Sequence, residues 1–196
     1  MSWAKGLGRI AILFALMAWL AGCATTTDPQ KDAAAAREQA DQAALQEDFR
    51  EAVNAMDNGN SDAARQQFEA LHAEHPERTG PLANLGILAL ADGDRAAAKA
   101  RFEQVVALDA THAVALNHLG VIARESGEFE KAEAYYRDAL SAEPDYLPAM
   151  MNLAILLDIY LGRPGDALPL YEQYQSMADE PNPRLKDWIF DAKNRI

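Results

Sequence analysis

Residues 113–146 read AVALNHLGVIARESGEFEKAEAYYRDALSAEPDY. In the first half, Leu116, Leu119, Gly120 and Ala123 recur at spacings of three and four, so one face of a helix carries them all. Gly127 interrupts that pattern where the chain must reverse. In the second half, Ala132, Tyr135, Tyr136, Ala139 and Leu140 form another single face. Pro144 ends the helix, because proline has no backbone N–H with which to continue it. The stretch is a helical hairpin with apolar faces too broad for two helices to bury alone. It requires copies of itself on either side.

The copies are present. Gly59, Gly93 and Gly127 are each 34 residues apart, as are Gly86 and Gly120, Leu85 and Leu119, and the series Ala64, Ala98 and Ala132. The series Phe68, Phe102 and Tyr136 keeps the same step, and Pro76 lies two steps before Pro144. A fixed period of about 34 residues in a helix–turn–helix unit marks a solenoid. The small residues are expected at the crossing of paired helices, where a larger side chain would hold them apart. The aromatic is expected to fill the gap to the neighbouring hairpin.

The pattern resembles the tetratricopeptide repeat. Three units follow it, at 45–78, 79–112 and 113–146, and a fourth is expected at 147–180, with Asn152, Leu153 and Ala154 in the places of His118, Leu119 and Gly120. The first unit departs from the pattern in having Ala52 in place of glycine, and the second has Ala110 in place of the terminating proline. Ala167 lies 35 residues after Ala132, which implies one inserted residue, expected in the turn LGRPGD at 161–166. The resemblance implies an all-α fold, a right-handed superhelical solenoid of helix-turn-helix repeats. The segment 181–196 places Leu185, Trp188, Ile189 and Ala192 on one face and is expected to be the capping helix that a terminal repeat needs. The alternative is an exposed helix that docks on a partner through Trp188.

Residues 1–22 read as a signal peptide. Lys5 and Arg9 precede an apolar run from Ile10 to Leu20 that is too short to span a bilayer, which takes about 20 apolar residues. Leu20-Ala21-Gly22-Cys23 then resembles a bacterial lipobox, in which the cysteine receives lipid and becomes the first residue after cleavage. An ordinary secretory signal with a chance cysteine, or an uncleaved anchor, are the plainer alternatives. Cys23 is the single cysteine, so no internal disulfide can form. Ala24 in place of aspartate implies, for lipoproteins of enterobacterial type, sorting to the outer membrane with the chain facing the periplasm. Residues 23–44 are then a tether and a polar, alanine-rich helical spacer.

The chain has 18 Lys+Arg against 30 Asp+Glu, a formal charge of −12, and loss of residues 1–22 would bring it to −14. Nucleic-acid binding needs clustered cations, so that class is disfavoured, and membrane attachment is expected through lipid. A basic partner could be steered by such a surface, although solubility alone accounts for it. His72 and His75 could share a metal ion but have no third ligand nearby in sequence; His112 and His118 stand in no triad-like spacing; the glycines fall one per turn or crossing and make no phosphate loop. The expectation is a non-enzyme without catalytic residues, cofactor or resident metal.

The resemblance also implies where a partner would bind, along the first helix of each hairpin. The second unit offers Ala83, Asn84, Ile87 and Leu90. The third offers Asn117, Val121 and Arg124. The fourth offers Met151, Asn152 and Ile155, with Asp158 at its end. Some members of the family clamp a partner's terminal carboxylate with lysine and asparagine. Here Ala83 and Ile87, or Phe49 and Val53, occupy those places. The face is mostly apolar with amide rungs at Asn84, Asn117 and Asn152, suited to an amphipathic helix or extended peptide. Packing between units is the competing role for each residue. The expected function is a protein-interaction scaffold or assembly factor for an envelope complex: pilotin-like, TonB-system-associated or a cell-wall-enzyme adaptor. A self-associating structural lipoprotein and a metal-binding hydrolase accessory are the alternatives.

Overall fold

A computed structural model describes residues 29–180 and 182–196. The signal peptide, Cys23 and Ala24 lie outside the described residues. The chain divides into residues 1–44 and a compact unit, Leu45–Ile196. All regular structure among the described residues is helical: α1 (Pro29–Asp57), α2 (Ser61–Glu74), α3 (Thr79–Ala91), α4 (Arg95–Leu108), α5 (Ala113–Glu125), α6 (Phe129–Ala142), α7 (Leu147–Ile155), α8 (Pro164–Met177) and α9 (Leu185–Asn194). None of these helices is long and apolar enough to cross a membrane.

Within the compact unit the helices pack as consecutive hairpins, α3 on α4, α5 on α6 and α7 on α8, and each second helix also meets the first helix of the next hairpin. Each turn within a hairpin uses the same device. Gly59, Gly93, Gly127 and Gly162 have φ of 77°, 80°, 78° and 64°. This left-handed conformation is inexpensive only without a Cβ, and it lets the next amide bond back to the helix end. Asp94 N–H and Glu128 N–H thus reach Ala89 O and Ala123 O, each at 2.9 Å.

The hairpins are locked by an aromatic ring seated on a missing side chain. A Cβ on Gly86 would stand 2.8 Å from the Phe102 ring, and one on Gly120 would stand 2.5 Å from Tyr136. Both rings are fully buried, as are Phe68 and Tyr171 at the same place in the first and fourth hairpins. Each such ring contributes about 2 kcal/mol by leaving water. The aromatic packs on the small residue of its own hairpin and, as the repeat pattern suggested, also joins the next one: Phe68 shares a cluster with Leu85 and Leu88, Phe102 with Ala115 and Leu119, and Tyr136 with Leu153 and Leu157. The glycine leaves a slot within ring reach, and the ring fills it. Phe102 also reaches the next hairpin, stacking on His118 with centroids 4.8 Å apart. Burial lowers the His118 pKa, which keeps the stacked imidazole neutral.

The inserted residue of the fourth hairpin is not in the turn. From Leu156 to Tyr160 the first helix winds as a π-helix, and Leu161 N–H bonds to Leu156 O at 3.0 Å. One extra residue in a helix is accommodated when the hydrogen bonds step from i+4 to i+5, which avoids breaking the backbone pattern. The turn can then keep the form seen in the other hairpins, with Gly162 in its usual role.

The last helix closes the array. Leu185, Ile189 and Ala192 of α9 are buried, and Trp188 sits half-buried with its ring 6.1 Å from that of Tyr171 on α8. Asp158, in the π-helical turn, is only 2% exposed, accepts a 2.6 Å hydrogen bond from Arg195 and lies 3.3 Å from the donating Tyr171 hydroxyl. The capping segment is thereby tied to the fourth hairpin by charge as well as by apolar contact.

Candidate functional site

The first helices of the second, third and fourth hairpins hold the residues expected to face a partner. Their side chains divide three ways. Ile87, Leu90, Val121, Met151 and Ile155 are half-buried, with one side against the apolar clusters between hairpins and the other left to solvent. Ala83, at 6% exposure, belongs to the cluster that packs α3 and α4 against α5, so a partner would reach little of it. Asp158 is withdrawn altogether by its pairing with Arg195. The π-helical winding accounts for that, because it alters the direction of every side chain in its turn relative to a continuous α-helix.

The amides are partly committed. Asn152 Nδ2–H donates to Asn117 Oδ1 at 2.9 Å, linking α5 to α7, and Asn117 is itself buried. Asn84 Nδ2–H donates to Gly80 O on its own helix at 2.9 Å. An amide has four hydrogen-bonding positions, so each retains capacity for another partner. The Asn117–Asn152 pair also fixes the spacing of two adjacent first helices on the candidate face.

Arg124 ends this row and stands apart from it chemically. Its guanidinium lies 5.6 Å from the centroid of the Tyr160 ring, a cation–π distance. Its Nε is buried without a hydrogen-bond acceptor, and the buried hydroxyl of Tyr136 makes no well-aligned hydrogen bond, although it interacts with the Arg124 guanidinium. Desolvation pushes the Tyr136 pKa up to about 12, and the positive charge of Arg124 acts against that shift. An unmet buried polar group ordinarily costs about 1–3 kcal/mol. Tyr160 and the Tyr136 hydroxyl were not legible as site residues from sequence. Tyr160 reaches Arg124 from the π-helical turn, and the only advance signal was the 35-residue step.

The histidines do not assemble into a centre. Among the described residues no group of three or more His, Cys, Asp or Glu side chains is placed to hold a metal ion. His72 is half-buried with an unpartnered Nδ1, and His75 lies 4.0 Å from Glu77.

A tetratricopeptide repeat family profile matches residues 83–148, about a third of the chain. No curated protein matches the chain in sequence. Solved structures of similar fold include Pseudomonas aeruginosa pilF, at 17% identity and a TM-score of 0.68 over 79% of this chain and 69% of that one. MamA protein aligns at 21% identity and a TM-score of 0.62 over 77% and 81%. A thermophilic tetratricopeptide protein of Thermus thermophilus aligns at 21% and 0.60 over 76% and 81%. At these identities the likeness is one of fold. Tetratricopeptide proteins serve as protein-interaction scaffolds, and the fold is ordinarily non-catalytic. Residues 83–148 match the tetratricopeptide repeat profile, and the hairpins on either side share the fold of solved tetratricopeptide proteins.

Proposed function

We propose that this protein is a lipid-anchored, periplasm-facing scaffold that holds a protein partner for a cell-envelope complex. The row of half-exposed apolar side chains on α3, α5 and α7 carries the scaffold reading: Ile87, Val121, Met151 and Ile155, flanked by the amides of Asn84 and Asn152. An apolar strip bordered by amides suits one face of an amphipathic helix or an extended segment. The membrane part of the proposal is supported by the sequence Leu20-Ala21-Gly22-Cys23, and the outer-membrane assignment by Ala24. Attachment through the Cys23 lipid agrees with a chain too acidic to be held on anionic headgroups by charge. Pilotin-like, TonB-system-associated and cell-wall-adaptor roles all fit this plan.

Two measurements test it. Metabolic labelling with an alkyne fatty acid should mark the wild type and leave Cys23→Ser unlabelled and released from the outer-membrane fraction; equal labelling of both removes the lipid anchor. Crosslinking in native envelopes should recover a partner that Ile87→Glu/Ile155→Glu loses while its circular dichroism stays unchanged. Retention of that partner by the folded variant moves binding away from the first-helix face.

Self-association is a second reading, supported by Phe190 and Ile196, which are 70% and 73% exposed at the capping end. Light scattering that shows a monomer at every concentration removes it.

A further inference from the structure

Arg124 is a half-buried cation that has no carboxylate partner among the described residues, in a chain with 30 carboxylate side chains. The acids around it have other cations. Glu125, next in sequence, accepts from Arg95 at 2.7 Å across to the preceding hairpin. Glu128 is paired with Lys131. Asp158, in the turn that also carries Tyr160, is held by Arg195. The guanidinium is instead lodged among aromatic groups. Tyr160 covers one side, Phe129 supports Tyr160 at a ring distance of 5.2 Å, and the fully buried Tyr136 turns its hydroxyl to Arg124 without a well-aligned hydrogen bond. Of the guanidinium nitrogens only Nε is sealed without an acceptor. A planar fork of donors, kept from the protein's own acids and partly shielded from water, matches a carboxylate better than any neutral group. One guanidinium and one hydroxyl suit a single negative charge, and the surrounding acidity disfavours a dianion such as phosphate.

We infer that Arg124, lodged between Tyr136 and Tyr160, receives an aspartate or glutamate side chain of the bound partner. This rests on the reading that the first-helix face takes the partner. The apolar strip then supplies contact area, while Arg124 fixes the register in which the segment lies.

The test uses the full-length chain in detergent and a phage-displayed library of random dodecapeptides fused at their C-termini, which offers no free terminal carboxylate. The expected result is a set of peptides with an acidic residue at one recurring position. Made as C-terminal amides, they should bind about tenfold more weakly when that residue becomes Gln. Arg124→Gln should cause a loss of similar size. The two changes together should cost no more than either alone, a non-additivity that a merely structural role for Arg124 would not produce. Arg124→Lys should recover part of the affinity, and Tyr136→Phe should weaken the acidic peptide while leaving its Gln counterpart unchanged. Additive losses, or selected peptides with no acidic preference whose binding is still abolished by Ile155→Glu, overturn the role of Arg124 and leave the groove standing. Peptides insensitive to both Arg124→Gln and Ile155→Glu, or a library that yields no binder, overturn both.

Discussion

The third and fourth hairpins meet the same packing requirement by different means. In the third, Gly120 opens a slot, the Tyr136 ring fills it, and α5 runs as regular α-helix to the turn at Gly127. In the fourth, Ala154 stands in place of the glycine, Tyr171 takes the ring position, and the first helix absorbs an extra residue by winding as a π-helix before Gly162. The regular hairpin depends on the absence of one methyl group. The irregular one depends on a network, in which Asp158 is directed inward to Arg195 and Tyr171 and Tyr160 outward to Arg124. The insertion therefore ties the cap to the array and completes the surroundings of the groove's one arginine, which a 34-residue spacing would not have done in this geometry.

The largest expected effect breaks the regular side of this comparison. Gly120→Leu should destabilise the array by about 3 kcal/mol or more in urea unfolding, because a Cβ at that point already overlaps the Tyr136 ring. Gly127→Ala, where φ is 78° and nothing lies within 4 Å, should cost only about 1 kcal/mol, from backbone conformation alone. Equal losses at the two glycines would mean that the ring can move aside and the slot is not a lock.

On the irregular side, Arg195→Ala should cost about 2 kcal/mol, because it leaves the Asp158 carboxylate buried and unpaired. Asp158→Asn should cost less, since Arg195 is 38% exposed at its side chain and can turn to water. Hydrogen exchange should locate both effects in α9 and spare α3 and α4. The reverse order of severity would mean that the ion pair does not hold the cap.

Charge also links the two hairpins. Glu133 of α6 accepts from Arg137 at 2.8 Å and from Arg163, in the turn of the fourth hairpin just before α8, at 2.9 Å. Burial alone would raise its pKa, but the two guanidiniums outweigh that and lower it below 4.5. A lowered carboxylate pKa stabilises the fold above the unfolded value, and that stability is lost as pH falls through the folded one. Glu133→Gln should therefore flatten the stability profile below about pH 4.5 and leave its shape above that unchanged. At the alkaline end the sign is opposite. Tyr136, with a pKa raised to about 12, favours the fold fully below its unfolded value near 10, and that contribution declines as pH rises from there.

The smallest effect is at Tyr136 itself. Tyr136→Phe keeps the ring on Gly120 and removes a buried hydroxyl that makes no well-aligned hydrogen bond, so stability should stay within about 1 kcal/mol of wild type or rise. A large loss would show that the hydroxyl has a structural partner and would sharpen the contrast with Phe102, which fills the same slot without one.

The repeat was legible in the chain because its determinants are local and periodic. Glycines at a 34-residue step, apolar faces at helical spacing and prolines after the second helices each act within a few residues of backbone, so they can be read without knowing what lies opposite. The face carried by Ile87, Val121 and Ile155 was implied by the resemblance to the tetratricopeptide repeat. Three features required the folded chain. The extra residue of the fourth hairpin reads along the chain as part of the turn at 161–166, and only the folded chain shows it taken up in the helix as a π-helical turn. Asp158 and Arg195 are 37 residues apart, and no pattern along the chain foretells that one buries the other's charge. Arg124 looked like one more polar residue at the rim of a helix. Only the tertiary structure shows that its neighbouring acids have other partners, because pairing of charges depends on distance through space and not along the chain.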